Sequence, residues 1–257
     1  MSFLALSIRQ AYFDNKAFWR NPAAAFFVLI FPLMFLVIFN LVFGNNNFDV
    51  PGGQVRASSF YVPSIVALSV INCTYATISQ FVAYARDQGR LKRLHGTPMP
   101  LLAFLAGRIL QAIGVAVLMV ALVLAFGALL YGVDLPTDNL PAVVLVLAIG
   151  AASFCALGLA LAGVIPNADA GPAVVNGSML PLMFISNVYV PMENSPPWIR
   201  DVASVFPIVH FANALHAAFS PFESGSILEL KDLAVIAVWG IAGIVLAVRY
   251  FSWEPRR

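Results

Sequence analysis

Residues 23–43 read AAAFFVLIFPLMFLVIFNLVF, and this stretch contains no charged side chain. A helix rises about 1.5 Å per residue and the hydrocarbon core of a bilayer is about 30 Å thick, so about 20 apolar residues make one crossing. A strand of a membrane barrel needs only about 10 residues, so the stretch is too long to be one. It therefore predicts a transmembrane helix.

Five further apolar runs of similar length follow along the chain, with approximate boundaries. They are residues 60–83, 105–131, 141–164, 172–191 and 233–251. The composition agrees, because 61% of the 257 residues are hydrophobic and only 10% are charged, against roughly 25% charged in an average soluble domain. In lipid, backbone N–H and C=O groups must be paired within the protein, which favours helices for runs of this length. The sequence predicts an all-α integral membrane protein with six transmembrane helices.

The lysines and arginines indicate which side of the membrane each loop faces. With six crossings both termini lie on one side, and the opposite side has only Arg56, Arg200 and Lys231 of the 14 basic residues. Because short cytoplasmic segments are enriched in Lys and Arg, both termini are predicted to be cytoplasmic. The net charge of +2 is small and its cations are scattered among apolar runs, which indicates no surface for nucleic acid.

Two segments outside the six runs are also rich in apolar side chains. Residues 3–20 interleave aromatic and polar residues, which favours a helix lying in the inner membrane interface; a frayed cytoplasmic leader is the alternative. Residues 192–232 are too long for a turn and too apolar for a free loop. We predict that residues 204–219 form one or two short re-entrant helices that dip into the outer leaflet and are buried against other helices.

Patterns typical of catalysis are missing from the sequence. It has no P-loop, no H-E-x-x-H and no G-x-S-x-G pattern, so we expect neither ATP binding by this chain nor an enzyme activity. His210 and His216 are six residues apart, on different faces of one helix, and Glu223 is the only carboxylate near them, so no metal site is predicted. None of the six runs has an acidic residue near its middle, which disfavours a carrier driven by an ion gradient.

Neutral polar side chains lie inside several of the runs. They are Asn40, Asn72, Thr74, Asn176 and Ser178. Two interpretations stay open for them. Hydrogen bonds between neighbouring helices are the commoner role of such residues, and contact with a transported substrate along a translocation path is the other.

The most informative polar segment is residues 84–100, YARDQGRLKRLHGTPMP. It is cytoplasmic by the charge argument and compatible with a helix up to His95, with Gly96 and Pro98 as stop signals. A hydrophilic helix held at the membrane surface suits the binding of a soluble partner. An ordinary basic cytoplasmic loop is the alternative.

Three stretches together resemble the ABC type-2 permease family, the membrane subunits of ATP-binding-cassette exporters. They are WRNPAAAFFVLIFPLMFLVIFNLVFG at 19–44, YVPSIVALSV at 61–70 followed by RDQGRLKRLHGTP at 86–98, and LPLMFISNVYVPMENSPPWIRDVASVFPIVHFANALHAAF at 180–219. The residues that match the family's cytoplasmic pattern are Asp87, Gly89, Leu91, Arg93, Leu94, Thr97 and Pro98. The likeness extends over essentially the whole chain, residues 1–257, as a single transmembrane domain.

Two features depart from the family pattern. Ser186 and Asn187 stand where a Ser-Gly pair is common, which leaves the detail of the fifth helix open. Arg90 and Lys92 make the cytoplasmic segment more basic than usual.

The resemblance implies a permease subunit in the cell membrane that exports a hydrophobic drug or a lipid-like substrate. A lipid-linked glycan substrate, or an ion-gradient-driven carrier, is the alternative. ATP and Mg would bind to a separate ATPase subunit, present in two copies, and a second permease copy or a paralogue would complete the assembly in the lipid membrane. The residues expected to couple to the ATPase are Asp87, Gly89, Arg90, Leu91, Arg93, Leu94, Thr97 and Pro98. A second inner loop, residues 165–171 with Asp169, would make a lesser contact.

Overall fold

The computed structural model describes residues 2–44, 46–50, 53–96, 99–192, 195–220 and 229–250. The helices are α1 Phe3–Trp19, α2 Pro22–Phe43, α3 Ala57–Ile71, α4 Thr77–Asp87, α5 Arg90–His95, α6 Leu101–Tyr131, α7 Leu140–Val164, α8 Gly171–Phe184, α9 Pro197–Ala203, α10 Pro207–Phe219 and α11 Leu230–Tyr250. A π-helical turn, Asn72–Ala76, joins α3 to α4, and a 3-10 turn, Thr137–Asn139, precedes α7. The prediction of an all-α integral membrane protein is confirmed.

A short hairpin between α2 and α3 was not predicted from the sequence. Strands β1, Asn47–Val50, and β2, Gly53–Arg56, pair antiparallel, with Asn47 opposite Arg56. The hairpin brings the end of α2 back to the start of α3. The two helices can therefore pack side by side.

Five helical segments in the described part of the chain are long enough and apolar enough to cross a membrane. They are Pro22–Phe43, Ala57–Asp87, Leu102–Tyr131, Leu140–Val164 and Leu230–Tyr250. The second of these runs without interruption through α3, the π turn and α4. It is also the most buried, because every residue of α3 except Ser59 is buried. This helix is the centre around which the others pack.

The fifth predicted run is helical over a shorter stretch than its apolar residues indicated. Helix α8 has 14 residues, which at 1.5 Å per residue span about 21 Å. Residues 185–190 continue as turns. Asn187 takes a positive φ of 20°, which asparagine tolerates better than most residues, and its Oδ1 accepts a hydrogen bond of 2.7 Å from the Met192 backbone N–H. The position where the family commonly has glycine is thus a turn that ends the helix.

Helices α9 and α10 form a bent pair, with an angle of 96° between them. At the bend, the Val205 carbonyl accepts a hydrogen bond of 2.8 Å from the Trp239 indole N–H. Trp239 lies nine residues into α11, so the bend lies beside a point about 13 Å from the N-terminal end of that helix. The short re-entrant helices predicted before the last span are therefore confirmed.

Close contact between α7 and α11 depends on two glycines of α11. A Cβ atom on Gly240 would lie 2.5 Å from Ser153 Oγ, and one on Gly243 would lie 2.8 Å from the Leu157 backbone nitrogen. Small residues let membrane helices approach closely enough for extensive van der Waals contact. The two helices consequently have little room to move independently.

Helix α1 confirms the helix predicted at residues 3–20. One face packs on α6, where a Cβ on Gly107 would lie 2.6 Å from Gln10 Cβ. The exposed surface of α1 mixes apolar and basic side chains: Leu4, Ile8 and Phe13 are each at least half exposed, and Arg9 and Lys16 are exposed as well. A docked helix with such a mixed surface fits the membrane interface and does not fit a frayed leader.

Candidate cytoplasmic coupling site

The segment predicted to couple to a partner is a corner between α4 and α5. The sequence predicted one helix up to His95, but the structure divides it at Gln88–Gly89. Gly89 has a φ of 64°, in the left-handed region that glycine adopts without strain. A Cβ there would meet no described atom within 4 Å. The backbone conformation, and not a lack of space, is therefore what favours glycine at the corner.

Helix α5 has one buried and one exposed side. Leu91 is fully buried against Ala85 of α4 and Phe104 of α6, so it anchors the helix and does not belong to an exposed contact surface. Arg90 and Arg93 are exposed, together with Lys92. The result is an amphipathic corner whose basic side points away from the helical bundle.

Two of these arginines are positioned by their neighbours. The Arg90 guanidinium lies over the Tyr84 ring, 5.5 Å from its centroid. Arg93 donates a hydrogen bond of 3.2 Å to the Gln88 carbonyl. These contacts are on the protein surface, so they orient the cations and leave their charge open to a partner.

The last residue pair of α4 links this corner to the second inner loop. Arg86 is 1% exposed, and its guanidinium donates hydrogen bonds to the carbonyls of Ala162, at 2.9 Å, and of Ile165. Asp87 accepts a hydrogen bond of 3.2 Å from the Ala168 backbone N–H. The structure thus brings Asp87 and the predicted second contact, residues 165–171, side by side.

Asp169 is exposed on that second loop, next to the residue that Asp87 contacts. Leu94 is half-buried at the end of α5 and packs on the cluster around Leu91. Thr97 and Pro98 lie outside the described residues. Sequence reasoning missed Arg86, although an arginine at the end of an apolar helix, directly before a matched acidic residue, was a signal that could have found it.

Helix α1 and the start of α6 complete the end of the fold that carries the α4–α5 corner. Arg108 of α6 is 8% exposed, and its guanidinium lies 4.0 Å from the centroid of the Phe81 ring of α4. Asp14 of α1 lies close enough to Arg108 for their charges to attract each other. Burial raises the pKa of Asp14 above its ordinary value, and the attraction of Arg108 offsets only part of that effect. Helices α1, α4, α5 and α6 therefore form one connected platform.

Residues 4–220 match the family model described as ABC-2 type transporter. The chain belongs to this family. A probable multidrug ABC transporter permease, YbhR, of Escherichia coli strain K12 is 26% identical over 180 residues, 70% of this chain. The transport permease YvfS of Bacillus subtilis strain 168 is 24% identical over 205 residues, 80% of this chain and 82% of that protein. The daunorubicin resistance ABC transporter permease protein DrrB1 of Streptomyces coeruleorubidus is 26% identical over 221 residues, 82% of this chain and 75% of that protein.

The chain spans 46% of the length of its Escherichia coli relative, so about half. The family assignment makes it a multi-pass membrane protein. ABC-2 permeases work with an ATP-binding subunit as part of an ABC transporter. The resemblance found in the sequence is confirmed.

Among the polar residues considered for a translocation path, three make hydrogen bonds inside the protein. Asn40 and Thr74 are buried, and each donates to the carbonyl four residues earlier in its own helix, at 2.9 and 2.6 Å. Ser178 of α8 makes a 2.8 Å hydrogen bond with the Tyr75 hydroxyl. These contacts favour the structural interpretation for the three residues.

Asn176 and Asn72 differ from the other three. Asn176 is exposed on α8 and Asn72 is half-buried in the π turn. Lipid cannot satisfy an exposed amide at membrane depth. Both interpretations, a contact between helices and a contact with a substrate, therefore stay open for these two asparagines.

The end of the fold opposite the α4–α5 corner contains a buried ionisable pair. His210 Nδ1 lies 2.5 Å from Asp232 Oδ1, and His210 Nε2 lies 2.7 Å from the Ser204 carbonyl oxygen. His216, in contrast, stacks on Phe60 and bonds to Ser64 Oγ at 3.0 Å. The described residues contain no group of three or more His, Cys, Asp or Glu that could hold a metal ion. Glu223 lies outside the described residues.

Proposed function

We propose that this chain is the membrane-spanning subunit of an ATP-driven exporter in the cell membrane, with both termini in the cytoplasm. Its substrate is a hydrophobic drug or a lipid-like molecule. Support for the drug class comes from the names of two relatives, one a probable multidrug permease and one a daunorubicin resistance permease. The names make a lipid-linked glycan the weaker alternative.

The observation that carries this proposal is the α4–α5 corner in a chain of the ABC-2 family. Its buried leucine fixes α5 to the bundle, and its basic side is left open. In the proposed assembly two ATPase subunits, which bind ATP and Mg, each receive such a corner in a groove. Asp87, Asp169, Thr97 and Pro98 are proposed to lie at the edge of the contact, around the basic residues.

Force on α5 would reach the membrane through α4. Helix α4 continues through the π turn into the fully buried α3, so a push on the corner acts directly on the centre of the fold. π-helical turns often occur at functional sites, where they interrupt regular helix packing. A second permease copy or a paralogue, together with surrounding lipid, would close the path that Asn72 and Asn176 face.

The test is ATP-dependent export by vesicles that contain the permease and its partner ATPase subunit. Gly89→Val and Leu91→Arg should abolish the uptake of a daunorubicin-type dye into inside-out vesicles. A β-branched residue is strongly disfavoured at the positive φ of Gly89, and the arginine removes the buried anchor of α5. Leu135→Arg is the matched control, since Leu135 is exposed in the loop before α7. Transport that follows a proton gradient and ignores ATP would contradict the proposal and favour a carrier.

A further inference from the structure

We propose that Arg86 is a positioning residue that makes the two inner loops of the permease move as one body. The first loop is the α4–α5 corner, and the second is residues 165–171. Movement of the corner would then reach α7 as well as α4. This inference rests on the proposed function, because it concerns how force from the ATPase is distributed.

The contacts of Arg86 suit this role. Its two terminal nitrogens donate to two different carbonyls, one in the last turn of α7 and one directly after it. Carbonyl groups at the C-terminal end of a helix have no partner within the helix and carry partial negative charge, which a cation stabilises. Because the guanidinium is buried, these bonds are protected from competition with water.

A second hydrogen bond between α4 and the second loop lies next to those of Arg86, and in it the side chain of α4 is the acceptor. Asp87 accepts a hydrogen bond from a backbone N–H of the second loop, while Arg86 donates to carbonyls. Ile165 adds an apolar contact, since it is fully buried with Ala83 of α4. Donor, acceptor and apolar contacts from the last five residues of α4 therefore hold the loop in one position.

The end of α7 is in turn fixed to α11. A Cβ on Gly163 would lie 3.1 Å from the Tyr250 carbonyl oxygen, and the contacts at Gly240 and Gly243 continue this close packing outward. A displacement of the inner end of α7 must therefore move α11. Since α11 also holds His210 of the re-entrant pair through Asp232, the movement would extend from the coupling corner to the opposite end of the fold.

The direct test is a cross-link between the two loops. Asp87→Cys and Ala168→Cys are introduced after Cys73 and Cys155 are replaced by alanine, and a short thiol-specific reagent that is cleaved by reduction joins the pair. If the loops move together, ATP-driven transport by the cross-linked protein should equal that of the same protein before cross-linking. Transport that stops on cross-linking and returns on reduction would overturn the inference, because the loops would then need to separate.

The second test measures how much substrate is exported per ATP hydrolysed. Arg86→Lys and Arg86→Gln should still assemble with the ATPase and hydrolyse ATP, but export per ATP should fall about tenfold, the range of a typical coupling free energy. Lysine should not rescue the ratio, because a single ammonium group cannot span both carbonyls as the guanidinium does. Arg9→Gln is the control, since Arg9 is exposed on α1.

The outcomes separate this inference from the proposed function. If Arg86 only stabilised the fold, the variants would give less folded protein and an unchanged ratio in the folded fraction, and the inference would be wrong. If the unmodified permease exported nothing with its ATPase, the proposed function would fail first. An unchanged ratio in Arg86→Gln with normal export by the unmodified protein would contradict the inference alone.

Discussion

His210 and Asp232 show how single buried side chains connect elements of this permease that are distant in sequence. Both ring nitrogens of His210 face oxygen atoms, one from Asp232 and one from the Ser204 carbonyl. A carbonyl only accepts, so Nε2 donates to Ser204, and the contact of Nδ1 with Asp232 joins the same ring to α11. The pair therefore fixes α10 to the first turn of α11.

Removing one member of this pair should destabilise the protein strongly. Asp232→Ala leaves the histidine buried without its partner, and we expect the free energy of unfolding to fall by about 3 kcal/mol. Thermal unfolding of the purified permease in detergent measures the change. Asp201→Ala is the matched control, because Asp201 is exposed on α9. The interpretation is wrong if both variants unfold at the same temperature.

Removing the carboxylate of Asp14 should have the opposite effect and stabilise the protein, because this carboxylate is unfavourably buried. Burial raises its pKa in the folded state above the ordinary value of 3.8. The folded state therefore binds a proton more readily than the unfolded state, and this contribution to stability is lost as pH rises through the raised pKa. We expect Asp14→Asn to unfold at a higher temperature than the unmodified protein near pH 7.

The pH profile of that variant provides its own control. As pH falls through the raised pKa, Asp14 becomes protonated in the unmodified protein and the difference between the two proteins should shrink. The two unfolding temperatures are compared from about pH 7 to below the ordinary pKa of Asp14. If their difference stays constant or grows as the pH falls, the charge of Asp14 does not cause the difference.

At the scale of elements, hydropathy predicted the helices well because lipid exposure leaves long apolar runs in the sequence. Hydropathy was less informative about where the backbone turns. The break at Gly89, the end of α8 at Phe184 and the β1–β2 hairpin each depend on a local backbone conformation that the apolar content does not encode. Glycine at 89 and the Pro-Gly-Gly sequence at 51–53 were the available signals.

The break at Gly89 leads to a prediction about the whole corner. Among the described residues nothing opposes a side chain there, so substitution should act through φ alone. We expect Gly89→Ala to weaken ATP-coupled transport, because a left-handed conformation is unfavourable by about 1 kcal/mol or more for alanine. Gly89→Asn should be milder, since asparagine tolerates that region. Equal transport rates for the two variants would exclude backbone strain as the cause.

At the scale of the whole molecule, the sequence predicted which segment forms the candidate site but not what each of its residues does. The family pattern located residues 84–100, but it grouped Leu91 with the contact residues, whereas the structure buries it as an anchor. It also treated the second inner loop as a separate contact. Only a three-dimensional structure brings Arg86 against the end of α7, because 76 residues separate it from Ala162 along the chain.

The charges of the whole chain predict its orientation in the membrane, and this orientation can be tested. Single cysteines are placed at Arg90 and Leu135, in a protein without its two native cysteines, and intact cells are treated with a membrane-impermeant maleimide. Because basic residues concentrate on the side of the α4–α5 corner, Leu135→Cys should react in intact cells and Arg90→Cys only after permeabilisation. Arg56→Cys, in the connection between α2 and α3, should behave like Leu135→Cys. Reaction of Arg90→Cys in intact cells would place the coupling corner outside, where no ATPase could reach it.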